Sequence, residues 1–189
     1  MTQDTMTPGT FTDRRERLIP LPRRRADRFC PRPYLRRTWG EIDRGLRSVL
    51  VELATAKRPW PLLLWGGVGT GKTRALLALS DRINYARVWT VEDLIRDTLS
   101  RRPPWERDVP PRLAVLDEIG APVSAKDFEY RCVKAFVDWR EDQAAAYLTN
   151  LPPHSLGEAY DRRIASRLTC GTIFELTGPD RRLVGQTTQ

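Results

Sequence analysis

The sequence predicts an α/β domain: a mainly parallel sheet with helices on both faces. Three observations point there. From Pro61 onward, short apolar runs alternate with stretches of helical period. The Gly-rich segment Gly66–Thr73 joins one apolar run to a helix. A second run, Leu113–Leu116, ends in two adjacent carboxylates, Asp117 and Glu118. With 189 residues, 40% of them hydrophobic, the chain suits one domain with appendages.

Residues 1–33 read as a flexible, basic arm rich in proline (Pro8, Pro20, Pro22, Pro31, Pro33). The first forty residues hold ten arginines against Asp4, Asp13, Glu16 and Asp27. This excess, within a net charge of +8, attracts polyanions and equally suits a solvated arm. Residues 34–58 read as a helical linker, because Leu35, Trp39, Ile42, Leu46, Leu50 and Leu53 recur at helical spacing. Residues 59–185 form the main domain, and 186–189 a tail.

Within that domain Pro61–Trp65 is a strand entering the Gly-rich segment, and Thr73–Leu79 a helix leaving it. Ala86–Trp89 is a second strand. Thr90 caps the next helix, with Asp93 three positions on, and Arg101-Arg102-Pro103-Pro104 stops it beyond Leu99. Leu113–Leu116 is a buried strand. Ser124 caps a helix through Phe128, Val133, Phe136 and Val137. Ala144–Leu148 is a strand, Leu156–Leu168 one helix, and Thr172–Leu176 the last strand.

Several classes are disfavoured. No apolar run approaches the roughly 20 residues that span a bilayer. No signal region opens the chain, so a cytoplasmic location is expected. Cys30, Cys132 and Cys170 are widely spaced and suggest neither disulfides nor zinc. His154, the single histidine, has no metal partners in view and reads as solvated or capping.

The segment Gly66-Gly67-Val68-Gly69-Thr70-Gly71-Lys72-Thr73 fits the phosphate-loop pattern at every fixed position. Glycines let backbone N–H groups converge on phosphate oxygens. Lys72 supplies charge to the outer phosphates, and the Thr73 hydroxyl can ligate Mg²⁺. Arg74 follows directly and joins the nucleotide-binding set. The helix dipole favours an anion at this end.

Asp117, 44 residues after Thr73, is placed to hold Mg²⁺ with its waters, and Glu118 to orient and deprotonate an attacking water. Two adjacent carboxylates favour hydrolysis over transfer to a small acceptor. Asn150 ends the Ala144–Leu148 run, where its amide reaches a terminal phosphate or water, or simply begins a turn before Leu151-Pro152-Pro153. Arg163 and Arg167 lie four apart on one helix face, either solvated or reaching a neighbouring subunit's nucleotide. Trp89, Trp105 and Trp139 are core residues first and base-stacking residues second.

In their order, these motifs resemble the DnaC/DnaI/IstB branch of the AAA+ ATPases, comprising replicative helicase loaders and transposition helpers. The resemblance runs from about Trp60 to Val184. It rests on the Gly66–Thr73 loop, Thr90-Val91-Glu92-Asp93-Leu94, Leu116-Asp117-Glu118-Ile119-Gly120, Leu148-Thr149-Asn150-Leu151, Arg163–Leu168 and Asp180-Arg181-Arg182. It implies an AAA+ core with no separate C-terminal lid domain. It implies that Asn150 is the first sensor, Arg167 the arginine finger with Arg163 as its companion, and Arg181 the second sensor. Family loaders carry a helicase-binding domain ahead of the ATPase, which the short N-terminal region here departs from.

The expectation is an ATPase of DNA replication, using ATP and Mg²⁺ at subunit interfaces and contacting single-stranded DNA and a replicative helicase. Two alternatives stand beside it: an IstB-like transposition helper with the same core, and a small-molecule kinase built on a phosphate loop.

Overall fold

The computed structural model describes residues 39–83, 85–106, 109–121 and 126–180. Five strands lie in one sheet: β1 (Leu62–Trp65), β2 (Ala86–Thr90), β3 (Leu113–Ile119), β4 (Ala145–Thr149) and β5 (Thr172–Glu175). Their order across the sheet is β2-β3-β4-β1-β5, and every neighbouring pair is parallel. Strands covered on both faces need apolar side chains in both directions, and so read as continuous runs. Leu62–Leu64 and Leu113–Leu116 are such runs and are fully buried.

Among the described residues, six α-helices cover the sheet. On one face α1 (Arg44–Ala54) and α2 (Lys72–Ser80) pack on Leu62, Leu64, Leu113, Val115, Ala146 and Leu148. The other face is covered by α3 (Val91–Leu99), α4 (Lys126–Trp139), α5 (Leu156–Ala159) and α6 (Arg162–Thr169), packed on Leu63, Ala114, Leu116 and Tyr147. Trp89, Phe136 and Trp139 meet edge to face within this second core, with ring centroids 5.4–6.2 Å apart. Trp105 packs against the same cluster. Trp89, Trp105 and Trp139 are thus packing residues, the first of the two roles their sequence setting allowed.

Local chemistry sets the element ends. The Asp43 carboxylate accepts from Leu46 N at 2.9 Å and starts α1. Thr90 and Asp93 form a reciprocal capping box at α3. A 3-10 turn at Trp39–Glu41 precedes α1, and the Arg82 guanidinium stacks over Trp39 at 4.7 Å. At the N-terminal ends of β3 and β4, the buried Arg140 guanidinium donates to Pro111 O and Ala144 O.

Two expectations are corrected. The single helix over 156–168 is two, α5 and α6. The chain breaks because Asp161 is extended and caps a new helix, its carboxylate accepting from Ile164 N at 2.7 Å. The third strand does not stop at Leu116 but carries both carboxylates through to Ile119. The 1–33 arm, Tyr34, Leu35, the Ser124 cap, Arg181 and the 186–189 tail lie outside the described residues. Among the described residues no helix is long and apolar enough to cross a membrane, and none cluster as a metal site of three or more His, Cys, Asp or Glu.

Candidate functional site

In a parallel sheet all strands present their C-terminal ends at one edge, and ligands bind there. The strand order puts β4 between β1 and β3. The segments following those three strands are therefore neighbours: the Gly-rich loop after β1, Asn150 after β4, and the carboxylates ending β3.

The loop between β1 and α2 is held by glycine geometry. Gly66 has φ +148°, and a Cβ there would lie 2.2 Å from Leu176 O. Gly69 has φ +75°, and a Cβ there would meet the Asp180 carboxylate at 1.7 Å. Side chains at either position would push the chain off its course. The buried Thr70 hydroxyl donates to Gly67 O at 3.0 Å, and Val68 is exposed at the tip.

Lys72 begins α2, and its ammonium is turned back into the loop. It donates to Gly66 O at 2.7 Å, Gly67 O at 2.8 Å and Asn150 Oδ1 at 2.7 Å. Next along α2, the Thr73 hydroxyl donates to Asp117 Oδ2 at 2.6 Å. A hydroxyl and a carboxylate are hard oxygen donors, the set that suits Mg²⁺. Asp117 is buried, and its second oxygen accepts from Glu118 N at 2.8 Å.

Glu118 owes its position to a bulge. Ala114, Leu116 and Ile119 all face the second core, although strict alternation would send Glu118 there instead of Ile119. Pairing with β4 slips between Leu116 and Ile119, and Glu118 takes φ +65°. The extra residue lifts Glu118 out of the ladder, and its side chain is exposed beside the site. A non-glycine residue in the left-handed region is a costly conformation of the kind that clusters at functional sites.

Beside the loop lies a pocket that sequence reasoning missed, lined by Ile42, Leu46, Gly71, Arg74, Ala75 and Leu176. Part of its apolar wall, Ile42 and Leu46, comes from α1 and the residues just before it. Those residues read in sequence only as a helical stripe, which specifies burial but not the neighbour. Thr149, quoted in sequence only as part of the Leu148–Leu151 segment and given no role, makes two contacts: its hydroxyl donates to Ile119 O at 2.7 Å and accepts from Leu151 N at 3.0 Å.

The structure brings together Gly66–Arg74, Asp117, Glu118 and Asn150, but not the arginines of α6. Arg163 is exposed. Arg167 pairs with Asp138 and Glu141 where α4 hands over to β4, the sheet edge opposite the phosphate loop. His154 is exposed, as expected of a solvated histidine.

No protein-family model matches the chain, nor does any curated protein sequence. Solved structures do. A crystal structure of DnaI is 21% identical with a TM-score of 0.57, over 82% of this chain and 95% of that one. AMPPCP-bound DnaA from Aquifex aeolicus is 16% identical with a TM-score of 0.61, over 85% of this chain and 57% of that one. Domain III of the Thermotoga maritima replication initiation protein DnaA is 19% identical with a TM-score of 0.59, over 79% and 70%. The chain thus spans a little over half the length of the Aquifex DnaA chain. At these identities the likeness is one of architecture: the chain has the α/β phosphate-loop fold of AAA+ cores.

Proposed function

We propose that this chain is an ATPase of the helicase-loader type, acting in DNA replication, with ATP bound at interfaces between its own copies. The observation that carries the reading is the convergence of Lys72, Asn150, Thr73 and Asp117 within direct hydrogen-bond contact at the C-terminal edge of the sheet. Two loop carbonyls and an amide oxygen hold the Lys72 ammonium where anionic phosphate oxygens would take their place. A protein of the same fold, DnaA, is AMPPCP-bound.

In this reading Gly66–Thr73 wraps the triphosphate tail, with Thr73 and Asp117 holding Mg²⁺, which would neutralise charge on the phosphate oxygens. Glu118 orients the attacking water and takes its proton. Asn150 reports on the terminal phosphate. Arg167 lies at the far edge of its own sheet, so the nucleotide it serves belongs to another copy, with Arg163 beside it. Arg181 is kept as a second sensor on the resemblance alone. Residues 59–185 would be the ATPase body, with 1–33 as a basic arm and 34–58 as linker. The arm's charge favours single-stranded DNA, and a ring helicase is the expected protein partner.

The test is nucleotide binding and turnover with Lys72→Ala and Glu118→Gln. Lys72→Ala is expected to weaken ATP affinity by about a hundredfold or more. Glu118→Gln is expected to keep that affinity and lose turnover by about 10²–10⁴-fold. Lys72→Ala binding ATP as tightly as wild type would overturn the site. Stimulation of hydrolysis by single-stranded DNA, and co-purification with a replicative helicase rather than a transposase, test the partners.

A further inference from the structure

The peptide unit immediately after the bulge is gripped at both ends. Its carbonyl, Ile119 O, accepts from the Thr149 hydroxyl at 2.7 Å. Its N–H, on Gly120, donates to the Tyr160 hydroxyl at 2.9 Å. Tyr160 in turn donates to Oε1 of the buried Glu129 at 2.6 Å. The neighbouring pair repeats the pattern: the Tyr130 hydroxyl donates to Asp161 Oδ2, while Asp161 Oδ1 caps α6. Two adjacent residues of α4, Glu129 and Tyr130, thus hold two adjacent residues of the α5–α6 junction, Tyr160 and Asp161. The phenol of Tyr160 touches the chain two residues past Glu118.

The reach of this network is longer than its contacts. Asp161 starts α6, and Arg167 sits six residues further on, about 9 Å along a rigid helix. One hydroxyl therefore stands between the segment that aims Glu118 and the helix that carries Arg167. Burial, then the Glu129 bond, holds the Tyr160 phenol well above its ordinary range, so it remains a protonated donor at working pH. Packing alone does not explain it, since a phenylalanine would fill the same space without the two polar contacts.

We propose that Tyr160 is a positioning residue that couples the Glu118 segment to the arginine helix α6 through the Ile119–Gly120 peptide. The proposal rests on the reading of Glu118 as the base. A change in how α6 is held by a neighbouring copy is transmitted to the loop that aims the base, and the loop's state is transmitted back. Turnover is thereby tied to assembly within a single chain, apart from any reach of Arg167 across the interface.

The experiment compares wild type, Tyr160→Phe, and Tyr160→Phe combined with Glu129→Met, which removes the buried carboxylate left without its donor. Three quantities are read: deuterium exchange without nucleotide, melting temperature, and ATP turnover. Tyr160→Phe is expected to raise exchange over residues 116–121 and 161–169 together. It is expected to lower kcat by about tenfold to a hundredfold with KM for ATP little changed. The double variant is expected to recover melting temperature but not kcat. Recovery of kcat along with melting temperature would reduce Tyr160 to a structural role and overturn the proposal. So would faster exchange confined to one of the two segments. Wild-type turnover in Glu118→Gln is a separate failure: it removes the base and the catalytic half of the proposal, while the exchange result still decides the coupling.

Discussion

Lys72 Nζ and Asn150 Oδ1 are 2.7 Å apart although 78 residues separate them in the chain. The contact exists because β4 lies beside β1, so the residue after β4 faces the first turn of α2. The ammonium donates to this amide and to two loop carbonyls. In the proposed reading a bound phosphate would take the place of part of that set. The strength of the Lys72–Asn150 contact would then enter the affinity for nucleotide.

Two variants at Asn150 separate charge from geometry. Asn150→Asp puts a carboxylate against Lys72 and against any incoming phosphate. It is expected to weaken ATP binding by about tenfold or more, with the loss shrinking as salt rises. Asn150→Ala removes only the amide and is expected to leave affinity within a few-fold while lowering kcat. Titration of a fluorescent ATP analogue at two salt concentrations checks both. Equal affinities for the Asp and Ala variants would show that the contact has no bearing on phosphate.

Thr73 and Asp117 are held together at 2.6 Å, and one residue of the pair is buried. Asp117→Asn keeps size and hydrogen bonding but removes the charge that draws a divalent cation. The Mg²⁺ concentration for half-maximal hydrolysis is expected to rise by about tenfold, with metal-free nucleotide affinity nearly unchanged. A Mg²⁺ titration of turnover, set beside ATP binding in chelator, reads the two quantities separately. An unshifted midpoint would remove Asp117 from the metal.

The capping box at α3 offers a stability test away from the site. Thr90→Ala removes the side chain that accepts from Asp93 N at 3.0 Å, and is expected to cost about 1 kcal/mol. Burial raises the Asp93 carboxyl, but hydrogen bonds from Thr90 and Arg96 outweigh it and hold the group below its ordinary 3.8. A depressed carboxylate contributes stability above its unfolded pKa and loses it as pH falls through the folded one. The Thr90→Ala penalty is thus expected to be larger at pH 7 than near pH 3, as urea melts at the two pH values would show.

What was legible in the sequence follows from locality. Gly66–Thr73 writes its geometry in residue types, since glycine, lysine and threonine at fixed spacing admit few other uses. Leu113–Leu116 and Ala144–Leu148 announced buried strands because a sheet covered on both faces needs apolar residues throughout. The bulge at Glu118 was not legible: Leu-Asp-Glu-Ile breaks alternation with two polar residues in a row, which reads equally as a strand end until β4 fixes which residue faces the core. The break at Tyr160-Asp161 was hidden because Ile164 and Leu168 keep helical spacing with Leu156 across it. Tyr160's contacts come from Gly120 and Glu129, 40 and 31 residues away, and no local pattern encodes them.

Arg167 gives the most demanding test, because within its own chain it is occupied. Its guanidinium pairs with Asp138 of α4 and Glu141 just past that helix, at the sheet edge opposite Lys72. If it serves catalysis, it does so in a site completed by Glu118 of another copy, through a head-to-tail contact. Arg167→Ala is expected to bind ATP normally and lose turnover by about 10³-fold, and Glu118→Gln is inactive for the other reason. Mixing the two in equal amounts builds some interfaces with an intact Glu118 on one side and an intact Arg167 on the other. Random assembly makes about a quarter of the sites complete, so the mixture is expected to recover about that fraction of wild-type turnover. The recovery depends on protein concentration, because it requires assembly. If Glu118 and Arg167 acted within one chain, every site in the mixture would lack one of them and no activity would return. Full activity in Arg167→Ala alone would place the charge-stabilising group elsewhere and leave the pairs with Asp138 and Glu141 as the arginine's whole role.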